Sequence, residues 1–382
     1  MKIAIVRSTL HKGSGQTVHI RELSKHLTKL GNKVSIFSRK IEDRALSETG
    51  YELKFPLDNI PFVRHLGFAS ACLSAIRDFD IVHTQYHPEI IAGDWLHEFR
   101  KLPHVFTYHG FAPIRVWRNP FQKLKMMDHR LGAFFSLRFG FDRIIAVSHF
   151  LKSELVKRYH LNPELIQVVY NGVDLERFNP EIDGGEVRES YSIERSPLVA
   201  FIGRLAPYKG PQFLLEAIPH VLAEVPDAKF MFVGSARFDS ARIGELVKTP
   251  HIRRVVVFTG YVDEKTLPNY YASCDVFCYP SLWEGFGLTP AEAQAVGKPV
   301  VAFKTCALPE VVQDEATGLL VPPGDSTALA RAIIRLLRNS ELRTEMGQKG
   351  RRRAEQMFSW EETARRTQRV YEEALEVHKQ HR

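Results

Sequence analysis

Cysteine is scarce: the 382 residues hold four, at Cys72, Cys274, Cys278 and Cys306. Cys274 and Cys278 lie four apart, but no second cysteine pair or histidine pair completes a zinc site. Both fall in Cys274–Tyr279, which reads as a strand, so free core thiols are expected and a disulfide scaffold is excluded. Long apolar runs are also missing. None approaches the ~20 residues that a membrane-spanning helix needs. The first run, Ile3-Ala4-Ile5-Val6, stops after four residues and reads as a buried strand, not a signal peptide. A cytoplasmic protein is expected, with room for association at a membrane surface. Acidic charge is in deficit, 44 Asp and Glu against 52 Lys and Arg, for a formal charge of +8. With 44% hydrophobic and 25% charged residues, the chain is neither disordered nor collagen-like. Its length predicts two domains.

Apolar runs of strand length alternate with helical patterns. Strands are predicted near 2–6, 33–37, 80–83, 104–108, 143–147 and 166–170. Between the first two, Ile20, Leu23, Leu27 and Leu30 mark one face of a helix that Gly31 stops. Over 174–197 the pattern breaks into Pro, Gly and charge, then restarts near 198–202, 229–233, 255–258, 276–279, 300–303 and 318–321. The expected fold is α/β: two Rossmann-like, doubly wound parallel-sheet domains facing across a cleft, over 1–175 and 176–359, with a last helical stretch at about 360–382.

Two common nucleotide motifs are absent. In Gly13-Ser14-Gly15-Gln16-Thr17-Val18, His19 stands where a dinucleotide fingerprint needs its third glycine, and no Gly-Lys-Ser/Thr ends a phosphate loop. Gly15 still opens a helix after a strand, which fits either a tight turn or the approach of an anion. Gly203-Arg204-Leu205-Ala206-Pro207-Tyr208-Lys209-Gly210 follows a strand and aims two cations at its end. Those charges suit a diphosphate, or are simply solvated. Glu284-Gly285-Phe286-Gly287-Leu288-Thr289-Pro290-Ala291-Glu292 runs from a strand into a helix. Here Thr289 is a candidate N-cap, with Glu292 closing a capping box. Glu284 has no such structural explanation and lies where an anion is expected. His109 stands at the end of an inner strand before Gly110.

Together these residues resemble a retaining glycosyltransferase of family 4, with the GT-B fold, over nearly the whole chain. The most specific part is Glu284-x7-Glu292. Gly203-Arg204, Lys209-Gly210, Val169-Tyr170-Asn171-Gly172-Val173-Asp174 and Thr317–Asp325 support it. The resemblance implies transfer of a hexose from a UDP- or GDP-linked sugar to a hydroxyl acceptor with retention, and no metal cofactor. It places Gly15 near the donor and His109 on the transferred sugar. Arg204 and Lys209 would hold the leaving diphosphate, and Glu284 would contact the sugar hydroxyls. The backbone of Phe286, Gly287 and Leu288 would bind sugar or phosphate, Gly203 would be among the donor-binding residues, and Glu292 would accept from the ribose. The final helix would cross back onto the first domain. The chain departs from the family pattern at Ser14-Gly15, at Gly234-Ser235-Ala236 and at Cys306-Ala307-Leu308-Pro309-Glu310.

The segment 115–143 carries Arg115, Arg118, Lys123, Lys125, Arg130, Arg138 and Arg143 among large apolar residues. It reads either as a membrane-surface helix serving a lipid-linked or carbohydrate acceptor, or as a packed helix with a solvated cationic face. No nucleic-acid recognition motif accompanies it. Arg351-Arg352-Arg353 reads as a solvated helix face. The rival functions are a sugar-nucleotide epimerase on the same fold and a non-catalytic nucleotide-sugar-binding protein.

Overall fold

The computed structural model describes all residues except 12–13, 47, 57, 59–62, 86–88, 115–119, 121–122, 125, 128–132, 135–136, 138–139, 194, 236–240 and 381–382. The described chain divides into two compact units. The first comprises Met1–Phe111, Leu124–Gly172 and Trp360–Arg382, and the second Ala112–Lys123 and Val173–Ser359.

In the first unit the strands are β1 (Lys2–Val6), β2 (Thr9–Leu10), β3 (Lys33–Ser38), β4 (Lys40–Ile41), β5 (Gly50–Glu52), β6 (Ile81–Thr84), β7 (His104–Tyr108), β8 (Arg143–Ala146) and β9 (Ile166–Val168). Seven form one parallel sheet in the order β5-β3-β1-β6-β7-β8-β9, and β2 pairs with β4 separately. Ile3, Ala4, Ile5 and Val6 are all fully buried, as strands covered on both faces must be. Their side chains alternate between two cores. Ile3 and Ile5 pack with Ile20, Leu23 and Leu27 of helix Gly15–Lys29 and with Trp360, Val370, Tyr371 and Ala374 of helix Trp360–Gln380. Ala4 and Val6 pack with Phe68, Cys72, Ala92 and Leu96 of helices Val63–Ala75 and Ile90–Arg100. Leu30, expected on the buried face of the first helix, is its C-cap and 38% exposed. The helix has already ended there, and the chain turns through Gly31 at φ +85°.

The second unit has β10 (Leu198–Ile202), β11 (Lys229–Val233), β12 (Val256–Gly260), β13 (Val276–Tyr279), β14 (Val300–Phe303) and β15 (Gly318–Val321), all parallel in the order β12-β11-β10-β13-β14-β15. Cys274 is not in a strand. It is the C-cap of helix Leu267–Ser273, and β13 begins two residues later. All four cysteines are free.

Both sheets reverse direction of growth beside their first strand. From β1 the chain moves out to β3 and β5, then returns to β6 on the other side. From β10 it moves out to β11 and β12, then returns to β13. Loops leaving two adjacent parallel strands in opposite directions open a crevice at their C-terminal ends, where ligands of this architecture bind.

Candidate functional site

The crevice of the second unit lies between the loop after β10, Gly203–Gly210, and the loop after β13, Pro280–Gly287. Leu282 N–H and Ser281 Oγ both donate to Tyr208 O, at 2.8 and 3.2 Å, which stitches the two loops together. Gly210 has φ +79°, and a Cβ there would stand 1.8 Å from Pro280 O, so only glycine permits this approach. The stitching brings Lys209 and Glu284, 75 residues apart, to 2.6 Å, and Lys209 Nζ also donates to Tyr279 OH at 3.0 Å. The pair is largely buried, with side-chain exposures of 15% and 9%. Burial opposes the charge on Lys209, but the Glu284 carboxylate, with Tyr279 and Tyr208, outweighs it and holds the ammonium above its ordinary range. Arg204 is exposed and donates to Tyr208 OH at 2.7 Å. Gly203, with φ +152°, turns the chain out of β10 ahead of it.

The helix after Glu284 starts two residues earlier than a Thr289 cap requires. It spans Leu288–Ala295, its N-cap is Gly287 at φ +114°, and no side chain caps it. The expected Thr289–Glu292 capping box does not form, because Thr289 is already the second helical residue. The first N–H groups are thereby left for an outside acceptor and carry the positive end of the helix dipole. The Phe286 ring packs edge-on against Phe358, centroids 5.4 Å apart, so only its backbone faces the loop chemistry. Leu288 is half-buried at the helix start.

Glu292 accepts from Tyr271 OH at 2.6 Å through Oε2. The side chain is half-buried, while protein atoms surround its carboxyl. Burial pushes its pKa from 4.5 up to about 7, against the Tyr271 hydrogen bond and the Arg177 charge, which pull it down. The Tyr271 hydroxyl is raised well above its usual range, by burial first and then by Glu292.

The first unit carries its own polar cluster at the ends of β6 and β7. His109 Nε2–H donates to Gln85 Oε1 at 2.9 Å. Gln85 is fully buried, and its Nε2 donates to His83 Nε2 at 3.1 Å. His83 Nδ1–H then donates to Tyr371 OH at 2.7 Å, and Thr107 Oγ1 lies 2.7 Å from His83 Nε2. Burial first, then His19, holds His109 and His83 well below the usual histidine range, with Arg7 adding to the effect on His109 and His104 to that on His83, so both are neutral. The chain of bonds fixes one tautomer: His109 carries its proton on Nε2 and leaves Nδ1 as a lone pair. Ser14 caps the helix that Gly15 opens, its Oγ accepting from Thr17 N–H at 3.2 Å. One turn on, the His19 ring meets the His109 ring edge-on at 4.9 Å, and His19 Nδ1–H donates to Asn171 Oδ1 at 2.9 Å. Burial lowers the His19 pKa to about 4.

Residues 185–353 match the model of glycosyl transferases group 1, and residues 13–177 that of glycosyltransferase family 4. A D-inositol 3-phosphate glycosyltransferase 2 of Catenulispora acidiphila is 30% identical over 98% of this chain and 94% of its own. The chain belongs to glycosyltransferase family 4. An MMP alpha-(1->4)-mannosyltransferase of Mycolicibacterium hassiacum is 29% identical, covering 98% of each chain. Among solved structures, sucrose-phosphate synthase from Thermosynechococcus elongatus superposes with a TM-score of 0.81 at 26% identity, over 97% of this chain and 98% of that one. The protein is thus a transferase with the GT-B architecture.

For a family 4 chain, several neighbours of the predicted residues were not legible. The hydroxyls of Tyr208, Tyr279 and Tyr271 hold Arg204, Lys209 and Glu292. Gln85, His83 and Tyr371 carry no motif signal, and only the β1–β6–β7 order brings the first two beside His109. The triple arginine is not a solvated face. Arg351 Nη1 donates to Phe178 O and Ala295 O at 2.8 and 2.9 Å, and Arg353 to Val311 O and Glu310 O at 3.0 and 2.6 Å. Both tie down carbonyls that their own segments leave open, and only Arg352 is exposed.

Of the basic segment 115–143, Arg115, Arg118, Lys125, Arg130 and Arg138 lie outside the described residues, as do Gly13 and Ala236. Lys123, Leu124 and Met127 are exposed, whereas Arg143 opens β8 and donates to Glu373 at 3.2 Å. No helix among the described residues is long and apolar enough to cross a membrane. A cavity of about 350 Å³ lined by Leu137, Gly140, Phe141, Tyr159 and His160 includes none of the candidate residues.

Proposed function

We propose that this family 4 enzyme moves a hexose from a UDP- or GDP-linked sugar to a hydroxyl acceptor with retention of anomeric configuration. The observation that carries the reading is the second unit's crevice, where Lys209 and Arg204 flank a helix start that no side chain caps. Breaking a sugar–phosphate bond builds negative charge on the departing diphosphate. Fixed cations and open N–H groups stabilise that charge without reorganising, and supply what a metal would bring to the leaving group. Glu284, already bonded to Lys209, holds the ammonium in place and offers its second oxygen to sugar hydroxyls. Glu292 has one oxygen committed to Tyr271 and the other for a ribose hydroxyl. The backbone of Phe286, Gly287 and Leu288 receives phosphate or sugar oxygens, and His109 contacts the transferred sugar through its Nδ1 lone pair. Attack from the face that the diphosphate leaves needs no protein nucleophile. A binding protein would give the Lys209–Glu284 pair no leaving group to serve, and an epimerase would hydrolyse or isomerise the donor with no acceptor present.

The acceptor is a carbohydrate or a lipid-linked sugar, with segment 115–143 against an anionic membrane surface. Flotation with anionic liposomes tests that part, and binding insensitive to salt and to loss of Lys123 overturns it. A thermal-shift panel of UDP-, GDP- and ADP-sugars tests the donor, because the true donor raises the unfolding midpoint. Proton NMR of the product then reads the anomeric configuration. A donor panel without any shift, or an inverted product, refutes the reading.

A further inference from the structure

Outside the crevices, three side chains from distant segments of the first unit converge at the far end of the last helix. His97 comes from helix Ile90–Arg100, Asp142 from just before β8, and His378 from the last turn of helix Trp360–Gln380. One ligand atom from each lies within 4.8 Å of the others. His378 Nδ1 is 3.2 Å from Asp142 Oδ1, and His97 Nδ1 is 3.4 Å from Asp142 Oδ2. Asp142 and His378 are buried and His97 is half-buried.

Two imidazole rings face one carboxylate in this cluster. His378 Nε2 stands 2.9 Å from Lys101 O. Its Nδ1 is set directly against a carboxylate oxygen. His97 Nδ1 faces two acceptors at once, Leu102 O at 3.1 Å and Asp142 Oδ2. Two ring nitrogens thus converge on the two oxygens of one buried carboxylate, with room for a cation to bridge them. Nitrogen and oxygen ligands about 2.0–2.1 Å from a tetrahedral zinc ion stand about 3.3–3.4 Å apart, close to the His–Asp contacts of 3.2 and 3.4 Å that the two carboxylate oxygens make. The surroundings match a metal site in a second respect. A ligating imidazole donates its other N–H to a carbonyl, as His378 does to Lys101 O, and a ligating carboxylate is itself hydrogen-bonded, as Asp142 Oδ2 is by His104 N–H at 2.8 Å.

We infer that His97, Asp142 and His378 form a binding site for a divalent transition metal, zinc by ligand preference, with water completing the tetrahedron. The ion ties the end of the C-terminal helix to the helix and strand beneath it. The site has no part in the crevice chemistry and stands apart from the proposed transfer reaction.

The test is titration of the chelator-treated full-length protein with zinc chloride, read by calorimetry and by the unfolding midpoint, beside His378→Ala and His97→Ala. Cobalt(II) serves as a spectroscopic probe. One equivalent of zinc is expected to bind the wild type and raise its unfolding midpoint. Each variant should weaken that site at least about 100-fold and lose the midpoint rise. Cobalt should give the strong visible bands of a tetrahedral site in the wild type alone. His378 lies in the last turn, so its variant folds, and circular dichroism checks this. No stoichiometric zinc binding, or equal binding by wild type and both variants, overturns the site and shows that protons alone satisfy the cluster.

Discussion

Replacing Glu292 with glutamine separates the cost of an ionised buried carboxyl from its use. In the folded protein its pKa is raised from 4.5 to about 7, because burial disfavours the charge more than Tyr271 and Arg177 favour it. The folded state therefore keeps a proton that the unfolded chain has already released. Each pH unit between the two values removes about 1.4 kcal/mol of stability as pH rises. The loss begins near pH 4.5 and is complete above about pH 7, where it totals roughly 3 kcal/mol. At pH 5 it is still below about 1 kcal/mol. Glutamine keeps the shape, and its carbonyl still accepts from Tyr271 OH. Glu292→Gln should stabilise the ligand-free protein at pH 8 by up to roughly 3 kcal/mol and hardly at all at pH 5. Urea unfolding at both values reads this directly. The same variant should bind nucleoside diphosphate more weakly, since it loses the charged acceptor for a ribose hydroxyl. A variant less stable than wild type at pH 8, or equally stabilised at both values, would refute the argument.

Other outcomes follow from the same geometry. Gln85→Glu places a carboxylate against His109 and raises the histidine pKa, so the acid limb of the pH–kcat profile should move upward while KM for donor changes little. An unmoved limb removes Gln85 from the role of fixing the His109 tautomer. His19 stays neutral when buried, with a pKa of about 4, while an unfolded histidine protonates near 6.5. Stability should fall by about 2 kcal/mol from pH 6.5 to 5 on its account, and His19→Gln should flatten the slope by about one proton. Gly210→Ala drives a methyl into Pro280 O at 1.8 Å and strains a φ of +79°, at a cost on the order of 3 kcal/mol, seen as a lower unfolding midpoint.

The twelve principal strands were legible because parallel strands buried on both faces are short, nearly continuous apolar runs. Edge strand β5, Gly-Tyr-Glu, and the two-residue β2 and β4 carry no such signal, since an edge needs no second apolar face. The charged site residues were visible as departures from core chemistry at strand ends. Their partners were not. Nothing local sets Lys209 against Glu284, because adjacency of β10 and β13 is a property of the sheet order. The capping box failed for a local reason: Thr289 and Glu292 have the right spacing, but Gly287 starts the helix early and Tyr271 claims the carboxylate. Charge runs misled as well, since Arg351 and Arg353 spend their guanidinium groups on backbone carbonyls that no sequence pattern marks.

The most direct test of the central claim, that Lys209 carries charge on a departing diphosphate, is steady-state turnover of Lys209→Ala with the donor found by the thermal-shift panel. Glu284→Gln serves beside it to control for the loss of a buried pair. The account predicts a folded Lys209→Ala protein with kcat lower by about 10²–10³-fold, the cost of removing one preorganised transition-state charge contact. Turnover of Lys209→Ala equal to wild type would contradict it.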